Sequence, residues 1–310
     1  MGIERADIER AARRIGGLVR KTPVLLVDGG AFGVEGPLTL KLEQLQHSGS
    51  FKARGAFNRL LSAPVGASGV VAASGGNHGA AVAYAARQLG HRAEVFVPEI
   101  SSPAKVRFIE DCGAAVTVVG RNYAEALEAS TVRAEESGAV VVHAYDQPEV
   151  VAGQGTLGRE IEGQAPELDT VLVAVGGAGL IGGVAGWYRG GTRVVGVEPG
   201  AAPSLYSALE AGGPVDVETG GLAADSLGAR RVGRVGFSVA RRFVERVVLV
   251  DEAPIREAQR RLWESARLIV EPGGAVALAA LLAGSYRPEP GERVGVVLCG
   301  ANTDPKEVVP

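Results

Sequence analysis

Lys52 lies in the stretch HSGSFKARGAF, residues 47–57, among glycine, serine, alanine and phenylalanine. The chain holds only five lysines against 27 arginines, so a position that needed nothing but a cation would be expected to carry arginine. Arginine stays charged and cannot act as an amine nucleophile, whereas lysine can lose its proton and attack a carbonyl. The residues that follow, ARGAFNRLL, read as a helix, and a helix N-terminus disfavours a nearby ammonium. Desolvation lowers a lysine pKa as well. Both effects favour the free amine; the alternative is a solvated surface lysine with no task.

Two glycine-rich loops offer places for an anion. VGGAGLIGG, residues 175–183, follows a strand-like run and opens a helix-like one, an arrangement that brings backbone N–H groups and a helix N-terminus to a phosphate. Gly177, Gly179 and Gly182 also satisfy G-x-G-x-x-G, and Glu198 ends the next strand about 20 residues on, which is formally a dinucleotide fingerprint. Close packing of helix on strand would explain the same glycines. The second loop is ASGGNHG, residues 73–79. Ser74 and Asn77 can cap the following helix, or the exposed N–H groups can cradle a carboxylate. His78 alone reads as a structural histidine, since no second histidine stands at metal spacing, and no G-x-S-x-G elbow is present. A free lysine amine beside a phosphate cradle points to a cofactor with both an aldehyde and a phosphate, of which pyridoxal 5′-phosphate is the common one. A nicotinamide site would account for residues 175–183 but leave Lys52 idle.

The elements that must position these groups follow from the apolar pattern. The 310 residues are 46% hydrophobic and 22% charged, with 45 glycines, enough for a large core in two lobes. Strand-like SGVVAAS, RAEVFVP, AAVTVVG, AVVVHA, DTVLVAVG, RVVGVEP, RVVLVD and RVGVVLCG alternate with helical stretches from residue 68 onward, the last expected to close the sheet. Near-continuous apolar strands between helices predict an α/β fold with parallel sheets covered on both faces. The stretch 212–236 has no clear period, and a long irregular loop in a compact fold is more often functional than not. A net charge of −3 and the absence of any basic tract give no support to nucleic-acid binding. Cys112 and Cys299 make no disulfide framework and fit a reducing compartment. No apolar run is long enough for a bilayer span and no signal core precedes the first helix, so a cytoplasmic protein is expected.

The ordered blocks KLEQLQHSGSFKARGA, SGGNHG, VVAGQGTLGREI, VGGAGLIGG, GVEP, VEPGGA and LCGANTD resemble the fold-type II pyridoxal-phosphate enzymes, most closely the L-threonine/L-serine dehydratases and the serine racemases. The resemblance covers almost the whole chain. It implies a tryptophan synthase β-like fold of two lobes, each a mostly parallel sheet flanked by helices: residues 1–68 and 147–310 form the large cofactor-binding domain and 69–146 a small mobile one. It implies Lys52 as the residue that holds pyridoxal 5′-phosphate as a Schiff base and acts as base at Cα, with Phe51 beside the ring and Asn77 on the ring 3′-oxygen. Gly176, Gly177, Ala178, Gly179 and Leu180 would bind the phosphate and Cys299 the pyridine nitrogen. Ser74, Gly75, Gly76, Asn77 and His78 would take the substrate carboxylate, with Tyr145 in the pocket. The implied reaction is deamination of L-threonine or L-serine, a small amino-acid substrate, in a homodimer with neither nucleic acid nor membrane as partner.

The departures shape the expectation. Ala178 replaces one glycine of the phosphate loop, which keeps the N–H donors. Gly75 replaces the serine that racemases use on the face opposite the lysine, which argues against inversion as the main activity; Ser74 is one residue too early. Glu198 matches one ligand of a divalent-cation site found in relatives, but Ser204 stands where an aspartate is needed, so no metal is assigned. Ala224-Asp225-Ser226 replaces an A-D-G triplet. The chain ends just after the Cys299 strand, so feedback control through an added C-terminal domain is not expected. The rival readings are a β-replacement enzyme, an oxidoreductase built on the 175–183 loop, and a non-catalytic phosphate-ligand binder.

Overall fold

The computed structural model describes residues 2–308. Along the chain run α1 (Arg5–Ile15), β1 (Val24–Asp28), β2 (Pro37–Lys41), α2 (Lys52–Ser62), β3 (Val70–Ala73), α3 (Asn77–Gln88), β4 (Ala93–Val97), α4 (Pro103–Cys112), β5 (Ala115–Val118), α5 (Tyr123–Ser137), β6 (Val140–Val141) and α6 (Pro148–Gln164). Then come β7 (Thr170–Ala174), α7 (Gly179–Tyr188), β8 (Arg193–Pro199), α8 (Ser204–Glu210), α9 (Ala224–Leu227), α10 (Arg234–Phe243), β9 (Arg246–Val250), α11 (Glu252–Ala266), α12 (Pro272–Leu282) and β10 (Val294–Val297). The fold is α/β, with a six-stranded sheet in the order β1-β2-β10-β7-β8-β9 and a four-stranded one in the order β5-β4-β3-β6. All pairings are parallel except β1 with β2. Among the described residues no helix is long and apolar enough to cross a membrane.

The strands of the repeating part fall where the apolar runs predict them. β10, the last in sequence, does not close an edge: it lies between β2 and β7, which puts the residues after it at the centre of the larger sheet. Two elements escape the periodicity for physical reasons. β1 is an edge strand with none of its residues fully buried, so it lacks the near-continuous burial of the central strands. α12, PGGAVALAALL, is buried on nearly every side, so it has no amphipathic stripe to read.

Each sheet has its own hydrophobic cluster. α2 serves both: Ala53, Ala56, Phe57 and Leu60 join the cluster of the smaller sheet, while Phe51 N–H, just before the helix, donates to the carbonyl of Cys299 beyond β10 at 3.1 Å. The loops at the carboxyl ends of β3, β6, β7 and β10 meet around this helix start, the place where open parallel sheets put ligands.

A buried ion network holds α2 in that position. Arg54, two residues after Lys52, is 1% exposed and grips Glu43 with two parallel bonds of 2.7 and 2.9 Å. It also reaches Glu160 of α6 at 3.1 Å, and Lys41 of β2 pairs with the other Glu160 oxygen at 2.6 Å. Removing the guanidinium would leave Glu43 without its charge partner in the interior. Arg54→Met is therefore expected to lower the unfolding free energy by about 3–5 kcal/mol, read from urea denaturation. A loss below about 1 kcal/mol would show that the network does not hold the helix.

Candidate active site

Lys52 opens α2, is half-buried, and donates from Nζ to the carbonyl of Ala144 at 2.9 Å. Its Nζ sits 5.2 Å from the centre of the Phe51 ring. Burial pulls the amine down to about 8, opposed by the Cys299 thiol and the Glu271 carboxyl. A substantial fraction of this lysine is thus neutral at mildly alkaline pH, as nucleophilic and base chemistry require.

One cavity is lined by Phe51, Lys52 and Tyr145 on one side and by Val175 to Ile181 on the other, with Ser226 and Leu227 closing it. The loop between β7 and α7 forms its floor, and the N–H groups of the first turn of α7 have no partners within the helix. Its glycines are required by close approach. A Cβ on Gly177 would overlap the Tyr145 ring, one on Gly179 would lie 2.9 Å from Tyr145 Cβ, and one on Gly176 would lie 3.0 Å from Leu227 Cα. Ala178 adopts a left-handed φ of 64°, a conformation that costs a residue with a Cβ about 1–2 kcal/mol. The strain is accommodated where α10 supplies Gly236, whose own Cβ would collide with Ala178.

A second cavity adjoins the first through Ser226. It is lined by Gly76, Asn77, Lys105, Phe108, Ile109, Asp225, Ser226 and Asn302. The 220s loop, irregular in sequence, thus borders both cavities, and an ion pair between Lys105 of α4 and Asp225 spans the mouth. Of the two accounts of the 73–79 loop, side-chain capping of α3 by Ser74 and Asn77 is not the one found. The cap residue is Gly76 with no side-chain cap, Ser74 Oγ accepts from Gly76 N–H at 3.2 Å, and the Asn77 side chain bonds elsewhere. His78 is buried and bonds to the Val142 carbonyl at 2.8 Å. Burial and the nearby Lys52 push it down to about 3, which keeps the ring neutral. A side chain at Gly75 would run into Ser101 Oγ, so the hydroxyl of Ser101 occupies that space.

Cys299 is buried with Sγ 3.6 Å from the Gly273 carbonyl, and burial with the neighbouring Glu271 holds its thiol far above the usual range. Glu198 lies apart from the cavities: it accepts from Ser204 Oγ at 3.1 Å and from the Leu205 and Tyr206 N–H groups at 2.8 Å each. Burial pushes it up to about 7. Among the described residues no cluster of three or more His, Cys, Asp or Glu could hold a metal.

The model of the family described as pyridoxal-phosphate dependent enzyme matches residues 15–300. The chain belongs to that family. It is 40% identical over 306 residues to the L-threonine ammonia-lyase of Geobacter sulfurreducens, covering 97% of this chain and 76% of that one. Among solved structures it resembles maize serine racemase, with a TM-score of 0.92, 31% identity and coverage of 98% and 95%. It also resembles a threonine deaminase from T.th., with a TM-score of 0.91, 36% identity and coverage of 97% and 99%. The site fits the cofactor of this pyridoxal-phosphate enzyme: a lysine amine largely withdrawn from water shares a cavity with a glycine-lined helix start.

Sequence reasoning missed three participants. Glu271 and Asn302 sit inside the quoted blocks VEPGGA and LCGANTD, yet nothing local reveals that both reach Asn77. Ser101 could be found only from the fold, which brings it against Gly75.

The packing of Tyr145 on the loop between β7 and α7 gives a direct test. Gly177→Ala is expected to cost about 1–3 kcal/mol of stability by overpacking, and the added Tyr145→Ala to restore most of it, measured by thermal unfolding as a double-mutant cycle. Additive losses would show that the ring does not impose the glycine.

Proposed function

We propose that this chain deaminates a β-hydroxy amino acid, L-threonine or L-serine, to a 2-oxo acid and ammonia. The observation that carries the proposal is the sharing of one cavity by the Lys52 amine and the Gly176–Leu180 loop. The likeness to an L-threonine ammonia-lyase and a threonine deaminase supports the reaction class.

When bound, pyridoxal 5′-phosphate supplies an aldehyde for the substrate amine and a conjugated ring that takes up the electron pair left at Cα. Lys52 would hold the cofactor, and its amine, once free, would serve as the base for the Cα proton. The N–H groups of Gly176, Gly177, Ala178, Gly179 and Leu180 bind the phosphate, where the α7 dipole favours an anion. Phe51 would pack beside the ring, and Asn77 would donate to its phenolic oxygen. The Cys299 thiol, held neutral by burial, would stand at the ring nitrogen without stabilising a proton there, which would temper electron withdrawal and suit elimination. Ser74, Gly75, Gly76, Asn77 and His78 receive the substrate carboxylate, with Tyr145 at the border of the pocket. Glu198 takes no metal in this reading.

The division into a cofactor unit (1–68 and 147–310) and a small mobile unit (69–146) belongs to the same proposal. Two separate sheets support it, and the Lys105–Asp225 pair is a contact that such motion would break. So do a homodimer and a cytoplasmic setting, the latter supported by two free, buried cysteines.

Racemisation of serine is the second reading, favoured by one observation: the Ser101 hydroxyl fills the space a side chain at position 75 would take. Incubating the holoenzyme with L-threonine, L-serine and 3-phenylserine separates the readings. Elimination predicts stoichiometric ammonia and 2-oxo acid, with little D-serine and no cysteine when sulfide is added to serine. D-serine as the main product, cysteine formation, or no ammonia from any of the three would overturn the proposal.

A further inference from the structure

Glu271 is a buried carboxyl, 4% exposed, that the chemistry above leaves without a task. It caps the start of α12, and its N–H donates to the Gly300 carbonyl at 3.1 Å. Its Oε1 accepts from Asn77 Nδ2 at 2.6 Å. On the other side of the same amide, Asn302 Nδ2 donates to Asn77 Oδ1 at 2.6 Å and to the Ser48 carbonyl at 2.8 Å. Asn302 therefore spends both amide hydrogens on fixed acceptors, and its own orientation is set.

The consequence falls on Asn77. Its Oδ1 must face the Asn302 donor and its Nδ2 must face the carboxylate. A flipped amide would set oxygen against carboxylate oxygen and nitrogen against nitrogen. Of the two hydrogens on Nδ2, Glu271 takes one and the other is left over, on a side chain that borders the second cavity, which meets the Lys52 cavity at Ser226. We propose that Glu271 and Asn302 are positioning residues that clamp the Asn77 amide in the orientation leaving one N–H to donate to the cofactor's phenolic oxygen. The proposal rests on the reading of Asn77 as the residue on that oxygen.

An ionised carboxylate only accepts, so it discriminates between the two faces of the amide; a protonated one also donates and loses that discrimination. Burial pushes Glu271 up to about 7, with Asp225 adding to the shift and the Asn77 hydrogen bond, Lys105 and Lys52 opposing it. The groups that face it are thus Lys52 at the head of α2, Asn77 on α3, Lys105 on α4, Asp225 on α9 and the neutral Cys299 thiol after β10. Lys105 and Asp225 pair with each other, and with Lys52 engaged by the cofactor, burial is the main influence on the Glu271 carboxyl. The clamp is engaged above this pKa and loosens below it.

The test uses the holoenzyme and two readouts besides activity: the visible absorption band of the bound cofactor as pH is varied, and the rate of cofactor release on dilution. The wild type should show a spectral step where Glu271 protonates, above the ordinary carboxyl range because burial raises it. E271Q cannot ionise and, like the protonated carboxyl, donates as well as accepts; it should lack the step and release cofactor at the rate the wild type shows on the acid side of its own step. E271L and N77A should each release cofactor about tenfold faster, and the double variant no faster than either. Wild-type release from E271L alongside fast release from N77A, or a step that persists in E271Q, would overturn the clamp while leaving the Asn77 reading intact. Wild-type release and spectrum in N77A would instead remove the Asn77 reading and the clamp with it. Should E271L fail to fold, the E271Q titration decides alone.

Discussion

Desolvation of a single amine is the constraint around which this molecule is arranged. Lys52 is withdrawn from water where two sheets meet, and burial brings its pKa down to about 8. A charged lysine would be useless as a nucleophile, and an exposed one would stay charged. The surroundings therefore have to exclude water without leaving the amine unbonded, and the Ala144 carbonyl supplies the one hydrogen bond it needs.

Keeping the amine there calls for rigidity on both sides. The Arg54–Glu43–Glu160–Lys41 network lies directly beneath the first turn of α2 and ties it to β2 and α6. The apolar side of the same helix is buried in the core of the smaller sheet. Arginine suits this place because its planar fork matches the Glu43 carboxylate with two bonds and its charge survives burial. The two cations of the SFKAR run thus have opposite requirements: one must stay protonated to hold the fold, the other must be able to lose its proton. That division explains why the sequence uses lysine at 52 and arginine at 54.

Much of this was legible in the sequence because it depends on local pattern. The alternation of apolar strands and helices fixed the α/β class, and a glycine run at a strand-to-helix turn located the cradle. Lys52 stood out by residue type against an arginine-rich background. What could not be read depends on contacts between distant segments. Glu271 and Asn302 reach Asn77 across 194 and 225 residues of sequence. The glycines at 176, 177 and 179 were read as serving a phosphate, yet the close approach of Tyr145 and Leu227 requires them as well. α12 hid for the opposite reason: a helix buried all round has no polar face to give it a period. Whether Ser74 and Asn77 cap α3 stayed open in the sequence because residue type alone cannot say which of two competing hydrogen-bond partners a side chain will take.

The central claim is that the Lys52 amine is the covalent anchor of the cofactor. Reduction of the holoenzyme with borohydride, followed by proteolysis and mass mapping of the labelled peptide, tests it most directly. The account predicts one pyridoxyl group per chain, on the peptide containing Ser50-Phe51-Lys52. A label on Lys41, Lys105 or any other residue, or no label at all, would contradict it.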